Sequence, residues 1–327
     1  MNEQDCLDKM VAPGERRPHI WRGGILQVWV TRACDKACFG CTQGSNLGGK
    51  PGMITVDQYA EALASLEGYF GVVGMFGGNP AIHPQFIELC QKLRESWVPW
   101  NQRGLWCNHP KGKATVMRST FNPIHSNLNV HLDREAYNEF VIGWPEARHE
   151  VKGLDPSWAE SKGRPNHIVG DARHAPPYVS MSDLGIPEGE RHKLISQCDV
   201  NQNWSAMICV VNGELRGFFC EIAGAMAMLH QSNPAWQDLG VKITPGWWKK
   251  GMDEFRDQVR WYCHRCGIPM KGHGELAIGG TTEQVSETHR DIYRTKSPLR
   301  KVELVTLREQ LKEPLERATD YIQNGSK

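Results

Sequence analysis

The sequence predicts an α/β fold in which strands and helices alternate, and three observations early in the chain support it. The apolar run Ile25 to Val30 is typical of a buried strand. Thr55, followed three residues later by Gln58, forms a capping box that marks the start of a helix. A second apolar run, Val72 to Phe76, then ends in two glycines and a turn. The order strand, helix, strand indicates a sheet with crossover helices.

The next elements continue this alternation. The first helix carries apolar residues at helical spacing: Tyr59, Leu63, Leu66 and Phe70. Pro84 predicts the start of a second helix, with Phe86, Cys90, Leu93 and Trp97 on one face. A third strand is predicted to end at Gly104 to Cys107, and a fourth covers Asn127 to Leu132.

The second half of the predicted sheet has weaker signals. On the fourth strand Asn129 and His131 alternate with apolar residues, so they face the interior, either as ligand contacts or as a satisfied polar network. Asp133 predicts the cap of a further helix. His167 to Val169 resembles a short strand within an irregular segment, and Tyr178 to Met181 is predicted as the last strand.

Length and charge limit the class of protein. The chain has 327 residues, which is enough for one large or two smaller domains. Its formal net charge of +1 argues against a broad nucleic-acid surface, although a modified nucleotide remains a conceivable substrate. No apolar segment is long enough to span a bilayer, and the first residues have no signal-peptide core, so we expect a cytoplasmic protein with no membrane partner.

The most informative motif follows the first strand directly. The segment CDKACFGC places Cys34, Cys38 and Cys41 at C-x3-C-x2-C spacing. Three thiolates on one loop can hold an iron-sulfur cluster and leave one iron without a protein ligand. A zinc knuckle is the structural alternative, but structural zinc needs four ligands and this loop offers three cysteines.

This spacing, with the aromatic Phe39 within the motif, resembles the signature of the radical S-adenosylmethionine (SAM) superfamily. The segment Gly77, Gly78, Asn79, Pro80 resembles the family's SAM-binding GGEP segment, with Asn79 where Glu is usual. The resemblance implies a partial (β/α)6 TIM-like barrel, a SAM-binding 4Fe-4S cluster and SAM itself. It also implies that Asn129 and His131 contact the ribose of SAM.

A second group of cysteines lies beyond the predicted barrel. It comprises Cys198, Cys220, Cys263 and Cys266. Between the first two, Asn212-Gly213 predicts a hairpin turn between strands Met207 to Val211 and Glu214 to Phe219. Helices are predicted over Ile222 to His230 and around Met252 to Trp261. By spacing alone, four thiolates suit structural zinc as well as a cluster.

The arrangement resembles the "twitch" element, a shortened SPASM extension of radical SAM barrels, and this resemblance implies a fully ligated auxiliary 4Fe-4S cluster. The predicted domains are an N-terminal extension (1–24), the barrel (25–190), a small hairpin and helix domain for the auxiliary cluster (191–270), and a tail (271–327). In the tail, an amphipathic helix is predicted to carry Leu304, Leu307, Leu311, Leu315, Ala318 and Ile322 on one stripe.

The predicted function is radical chemistry on a small molecule or a peptide, with a flavodoxin- or ferredoxin-type reductant. In the leading interpretation the auxiliary cluster accepts an electron, which gives net oxidation, and His125, His131 or Glu221 accepts a proton. A redox-neutral alternative is an epimerase, in which Cys107 or Cys209 donates a hydrogen atom to the radical. The other redox-neutral alternative is an isomerase that rearranges a carbon skeleton, for example an amino-acid-derived group of a modified nucleotide. An iron-sulfur or zinc scaffold without catalysis is the alternative from another class.

Overall fold

A computed structural model describes residues 1–16, 24–36, 38, 40–47, 52–108, 112–131, 144–152, 167–169, 176–270, 283–293 and 302–304. Its main feature is a nine-stranded sheet. The strands are β1 Ile25–Thr31, β2 Val72–Gly77, β3 Arg103–Asn108, β4 Ser126–His131, β5 Arg148–Lys152, β6 His167–Val169, β7 Ser205–Val211, β8 Glu214–Phe218 and β9 Val241–Lys242. A separate pair joins β10 Glu283–Val285 to β11 Val302–Leu304.

The sheet has two regions that meet at β1. Strands β1 to β6 are parallel and lie side by side in chain order. This is the strand arrangement that a partial (β/α)6 barrel requires, and it confirms the predicted mixed α/β fold. On the other side of β1, β7 runs parallel to it, and β8 and β9 continue the sheet in antiparallel pairing.

Helices cover the connections between strands. They are α1 Glu3–Leu7, α2 Val56–Ser65, α3 Phe86–Glu95, α4 Ala114–Thr120, α5 Glu188–Ile195, α6 Asp199–Asn203, α7 Glu221–His230, α8 Arg256–Tyr262 and α9 Arg290–Tyr293. The Thr55 and Gln58 capping box is present at the start of α2. The predicted second helix begins at Phe86, two residues after Pro84. Within the described residues, no helix is long and apolar enough to cross a membrane.

The hairpin of β7 and β8 follows the sequence closely. Asn212 and Gly213 have φ angles of 51° and 85°, so both turn residues are left-handed, as a two-residue hairpin with this strand twist requires. Because β7 pairs with β1, the hairpin extends the main sheet and brings the segments on either side of it next to the first strand.

Several sequence predictions about the later elements are wrong. Tyr178 to Met181 forms turns, and the fifth and sixth strands are β5 and β6. Strand β5 escaped prediction because its sequence, Arg-His-Glu-Val-Lys, is almost entirely polar. Leu304 lies in a strand, where a helix was predicted. The helix predicted after Asp133 and the rest of the tail stripe, Leu307 to Ile322, lie outside the described residues.

Candidate metal centres

The first candidate centre is the loop that follows β1, residues 32–53, called here the cysteine loop. It folds back beside the strand that precedes it: Thr31 bridges to Met53, and the amide of Ile54 donates to the carbonyl of Val30 over 2.9 Å. Strands β1 to β4 are parallel, so the loop lies at the edge of the sheet where they end. Ligand sites of parallel sheets form at this edge.

The glycine pair at the end of β2 is pressed against the cysteine loop. The amide of Gly78 donates to the carbonyl of Thr31 over 2.7 Å, and the amide of Asn79 donates to that of Ala33 over 2.8 Å. A Cβ on Gly78 would lie 2.5 Å from the Ala33 oxygen, and one on Gly77 would collide with the Thr31 oxygen. Gly77 also has a φ of 151°, which favours glycine. Both positions therefore need glycine.

The thiol of Cys34 accepts two hydrogen bonds. The side-chain amide of Asn108, the last residue of β3, donates over 3.0 Å, and the backbone amide of Lys36 donates over 3.4 Å. Cys38 and Cys41, which are partly exposed like Cys34, lie within electrostatic range of it. N–H groups aimed at a sulfur are the surroundings that a metal-bound thiolate requires.

The pKa of Cys34 is raised to about 12, first by burial and then by the neighbouring Cys41 thiol. A metal must displace this proton when it binds. Next to it, the side-chain amide of Asn79 donates to Asp35 over 3.0 Å, and its oxygen accepts from the amide of Ala81. Asn79 thus fixes the turn after β2 and ties it to the cysteine loop.

Of the other residues predicted to bind SAM, the structure describes Pro80 fully and the backbone of Asn129 and His131. Phe39 lies outside the described residues. Asn129 and His131 lie in β4, where Asn129 is the register partner of Asn108, but their side chains are likewise outside the description. Pro80 begins a short 3-10 turn directly after Asn79.

Cys107 lies within electrostatic range of Asp35 in the cysteine loop, but on the other face of β3 from Asn108. It precedes Asn108, so its side chain points to the opposite face of β3. Arg103, on the same face as Cys107, donates to backbone oxygens of Arg94 and Val98, which shows that this face meets α3. Cys107 is 1% exposed in the core. Cys209 is buried in the same way, and the role of either thiol as a hydrogen-atom donor stays a prediction.

The second candidate centre is a pocket lined by four thiols. Cys198, Cys220, Cys263 and Cys266 all contribute to its wall. Much of the remaining wall is apolar and includes Met10, Phe219 and Ile268. We call it the four-cysteine pocket.

The fold brings these cysteines together from three places. Cys198 precedes α6, and Cys220 is the N-cap of α7, so both lie next to the hairpin strands. Cys263 and Cys266 bracket a 3-10 turn after α8, closed by a hydrogen bond from the amide of Cys266 to the carbonyl of Cys263. Within the described parts of the chain, no three Cys, His, Asp or Glu side chains are arranged to hold a single metal ion. The thiols surround a space instead.

Burial raises the pKa of each of these four thiols, and the charge of neighbouring thiols raises it further in Cys220, Cys263 and Cys266. The mutual effects confirm that the sulfurs are electrostatic neighbours. A thiolate set of this kind is stable only with positive charge nearby, which a bound metal group supplies.

A histidine pair supports the loop between Cys263 and Cys266. His289 Nε2 lies 2.7 Å from the Arg265 carbonyl, which can only accept, so this nitrogen carries a proton. Its Nδ1 then accepts from His230 Nε2 over 3.0 Å. His230 Nδ1 in turn lies 2.9 Å from Asp291, with one proton between them. Burial lowers the pKa of His289 to about 3, which agrees with a neutral ring.

Glu221 is a buried carboxyl between the two groups of cysteines. It is 2% exposed and accepts a hydrogen bond from the hydroxyl of Ser205. Thr42, in the cysteine loop, and Gln27, on β1, lie within hydrogen-bonding reach of it. Burial raises the pKa of Glu221, and these hydrogen bonds oppose the shift. Because Glu221 directly follows Cys220, it connects the four-cysteine pocket to the cysteine loop.

Of the other predicted proton acceptors, His131 has a side chain outside the described residues. His125 precedes β4, at the opposite end of the strands from the cysteine loop. Sequence reasoning missed Asn108, although an amide at the carboxyl end of a parallel strand was a usable signal. It also missed Arg16, a buried residue beside Phe219, because an arginine in an N-terminal extension gives no sign of burial.

Comparisons with known proteins add little. No protein-family model matches the chain, and no curated protein matches it. One similar solved structure is described as the crystal structure of BtrN in complex with AdoMet and 2-DOIA. It aligns over 74% of this chain and 92% of that chain, with a TM-score of 0.42 and 11% sequence identity. A likeness of this size does not establish a shared fold, so the function must follow from this chain's own residues.

Proposed function

We propose that the chain is a radical SAM enzyme that binds a 4Fe-4S cluster through Cys34, Cys38 and Cys41. The observation that carries this proposal is the cysteine loop itself: three thiols at the carboxyl edge of a parallel sheet, one of them already accepting N–H donors. When bound, the cluster would supply the electron for reductive cleavage of SAM, and the resulting radical would take a hydrogen atom from the substrate.

The chain's own residues have distinct roles in this proposal. Asn108 donates to the sulfur of Cys34 and stabilises its negative charge. Gly77 and Gly78 let the end of β2 approach the loop closely enough for backbone groups to contact SAM. The sheet and its helices position the substrate and exclude water from the site.

The four-cysteine pocket supports a second 4Fe-4S cluster in this proposal. Four thiols that line one pocket can ligate such a cluster fully, and we prefer it to zinc because the spacing of these cysteines resembles the twitch element. With no open iron, such a cluster suits electron transfer, so the proposed reaction is net oxidation of a small molecule or peptide. Glu221 is the proposed proton acceptor, because it is the buried carboxyl nearest both groups of cysteines.

The redox-neutral alternative, an epimerase or isomerase, is not the one we propose, because it leaves the second cluster without a role as electron acceptor. A flavodoxin- or ferredoxin-type protein is the proposed reductant. The proposed substrate is a small molecule or a peptide, and the near-neutral charge of the chain disfavours a nucleic-acid duplex.

The test is anaerobic reconstitution with iron and sulfide, followed by reduction with SAM and an assay for 5'-deoxyadenosine. We expect about eight irons per chain in the native protein, and about four when Cys34, Cys38 and Cys41 are replaced by alanine. The native protein should form 5'-deoxyadenosine, and the variant without these three cysteines should form none. The matched control is Cys90→Ala, a buried cysteine on α3, which should keep both iron and activity.

Loaded and reduced protein that never cleaves SAM would favour the scaffold alternative. One cluster together with one zinc would remove the auxiliary cluster, and with it the proposed electron acceptor. Once a substrate is found, net oxidation predicts a product lighter by two hydrogen atoms. A product of unchanged mass that gains deuterium from heavy water would instead indicate an epimerase.

A further inference from the structure

Arg16 is a buried guanidinium next to the four-cysteine pocket. Its side chain is 1% exposed, and Nη2 donates to the carbonyl of Phe219 over 2.5 Å. Phe219 precedes Cys220 and lines the pocket. The other two nitrogens, Nε and Nη1, are also buried and have no hydrogen-bond partner among the described residues. The guanidinium therefore lies beside Phe219, a residue of the pocket wall, and most of its N–H groups have no acceptor among the described residues.

A buried guanidinium with so few hydrogen-bond acceptors is unusual, because burying its charge raises the free energy of the folded state. Leaving a buried charge uncompensated costs on the order of several kcal/mol. Arg103, which is also largely buried, has more hydrogen-bond acceptors. Its Nε and Nη2 donate to the carbonyls of Val98 and Arg94, over 2.8 and 3.2 Å. Among the described residues, Arg16 has one such acceptor, the Phe219 carbonyl, so nearby negative charge is the remaining means of compensation.

Acidic groups that stabilise the charge of Arg16 include Cys220, Tyr69, Cys198 and Glu221, with Cys220 the strongest. Among these, the two cysteines are the groups whose charge changes when a metal binds, because a metal replaces the thiol proton. Loading the four-cysteine pocket therefore adds negative charge beside Arg16, in addition to the carboxyl of Glu221.

We infer that Arg16 is the counter-cation of the four-cysteine pocket. Its charge offsets the negative charge that four thiolates bring to this buried site, and it favours the more negative, reduced form of a bound cluster. The pocket thus draws on the N-terminal extension for its electrostatic balance. The inference rests on the proposed function only in naming the bound group as a 4Fe-4S cluster, since any metal held by four thiolates needs the same compensation.

The experiment uses the full chain with Cys34, Cys38 and Cys41 replaced by alanine, so that any metal belongs to the four-cysteine pocket. Into this background we place Arg16→Gln, Arg16→Lys and the control Arg103→Gln, which neutralises a buried arginine at the start of β3. Each protein is reconstituted anaerobically, its iron, sulfide and zinc are counted, and the cluster is titrated against potential by electron paramagnetic resonance.

For Arg16→Gln we expect the ratio of oxidised to reduced cluster at a fixed potential to rise by about tenfold, which is a midpoint lowered by about 59 mV for a one-electron couple. Arg16→Lys keeps the charge and should change the ratio by less than about threefold, while Arg103→Gln should leave it unchanged. If Arg16→Gln loads poorly, extraction by a chelator should be faster than for Arg16→Lys.

Three results separate this inference from the proposed function. A cluster present in all variants with the same midpoint and the same chelator resistance would overturn the role of Arg16 and leave the auxiliary cluster intact. Zinc in place of iron would remove the auxiliary cluster. The role of Arg16 would then be supported if Arg16→Gln lowers zinc affinity by about tenfold relative to Arg103→Gln, and overturned if the two variants bind zinc equally well. A pocket that binds no metal would overturn both.

Discussion

Replacing Gly78 by alanine should separate the end of β2 from the cysteine loop. The added Cβ would lie 2.5 Å from the carbonyl oxygen of Ala33, 2.7 Å from that of Arg32 and 2.8 Å from Ser45 Oγ. Cβ atoms do not approach other heavy atoms within 3.0 Å. Two of the three neighbours are backbone, so no side-chain rotation relieves the contact, and the two chain segments must move apart by roughly 0.5 Å.

The expected cost follows from the bonds that this movement breaks. The hydrogen bonds from Gly78 to Thr31, at 2.7 Å, and from Asn79 to Ala33, at 2.8 Å, would both stretch beyond ideal length. Each contributes about 0.5 to 1.5 kcal/mol, and overpacking adds about 1 to 3 kcal/mol. We expect Gly78→Ala to lower the free energy of unfolding by about 2 to 4 kcal/mol, with loss of iron from the first site.

The assay is urea unfolding of the metal-free protein, followed by iron counting after reconstitution. The matched control is Gly251→Ala, because a Cβ at Gly251 meets nothing within 4 Å and the residue has an ordinary extended backbone. Its effect should stay within about 0.5 kcal/mol. If Gly78→Ala unfolds at the same urea concentration as Gly251→Ala and still binds a full first cluster, the close contact between β2 and the cysteine loop is wrong.

Three further predictions concern single side chains. Asn108→Leu removes the hydrogen bond to Cys34 and should lower the midpoint of the first cluster in redox titration, because the sulfur loses an N–H donor. Cys107→Ala should cost about 1 to 2 kcal/mol in urea unfolding but leave formation of 5'-deoxyadenosine unchanged. Burial lowers the pKa of His289 to about 3. Its contribution to the free energy of unfolding should be complete above about pH 6.5 and fall by about 1.4 kcal/mol per pH unit below that pH. A pH series of urea unfolding measures this.

Each of these has a clear contrary outcome. An unchanged midpoint in Asn108→Leu would remove that residue from the first site. Loss of product in Cys107→Ala, at normal iron content and with SAM cleavage retained, would instead indicate that the thiol donates a hydrogen atom to the substrate radical. For His289, the unfolded state binds more protons than the folded state below about pH 6.5. His289→Gln must therefore make the free energy of unfolding depend less steeply on pH in acid. A variant with the native slope would show that other groups determine it.

The elements with strong local signals could be predicted from the sequence. The capping box of α2 and the Asn212-Gly213 turn encode their own geometry, because side-chain caps and left-handed turn residues act over a few neighbouring positions. Strand β5 has no such signal. Its polar residues pair with β4 because the parallel sheet offers an edge there, and this is a tertiary effect.

The segment from Tyr178 to Met181 shows the opposite failure. Its side chains are buried, so the apolar pattern was read as a strand, but their partners lie in loops. The hydroxyl of Tyr178 donates to the carbonyl of Thr42, and the amide of Ser180 donates to the hydroxyl of Ser286. Burial of a short apolar run does not distinguish a strand from a turn packed under a loop.

In the candidate site, the sequence predicted the cysteines but not the residues that support them. Motif spacing identifies ligands because they come from one loop, as Cys34 and Cys38 do. Asn108 and Arg16 reach sulfur-containing sites from distant parts of the chain, and only the fold brings them there. Supporting groups of this kind therefore require a structure.

The first sixteen residues belong physically to the four-cysteine pocket, although they precede the cysteine loop in the chain. Glu3 forms ion pairs with Arg256 and Arg260 on α8, the helix that leads to Cys263. The backbone of Val11 exchanges two hydrogen bonds with the side chain of Asn201, at 3.0 and 3.1 Å. Met10 lines the pocket. These contacts hold Arg16 close to the thiols. The N-terminal extension, for which the sequence suggested no role, therefore supplies part of the wall of the second site and its positive charge.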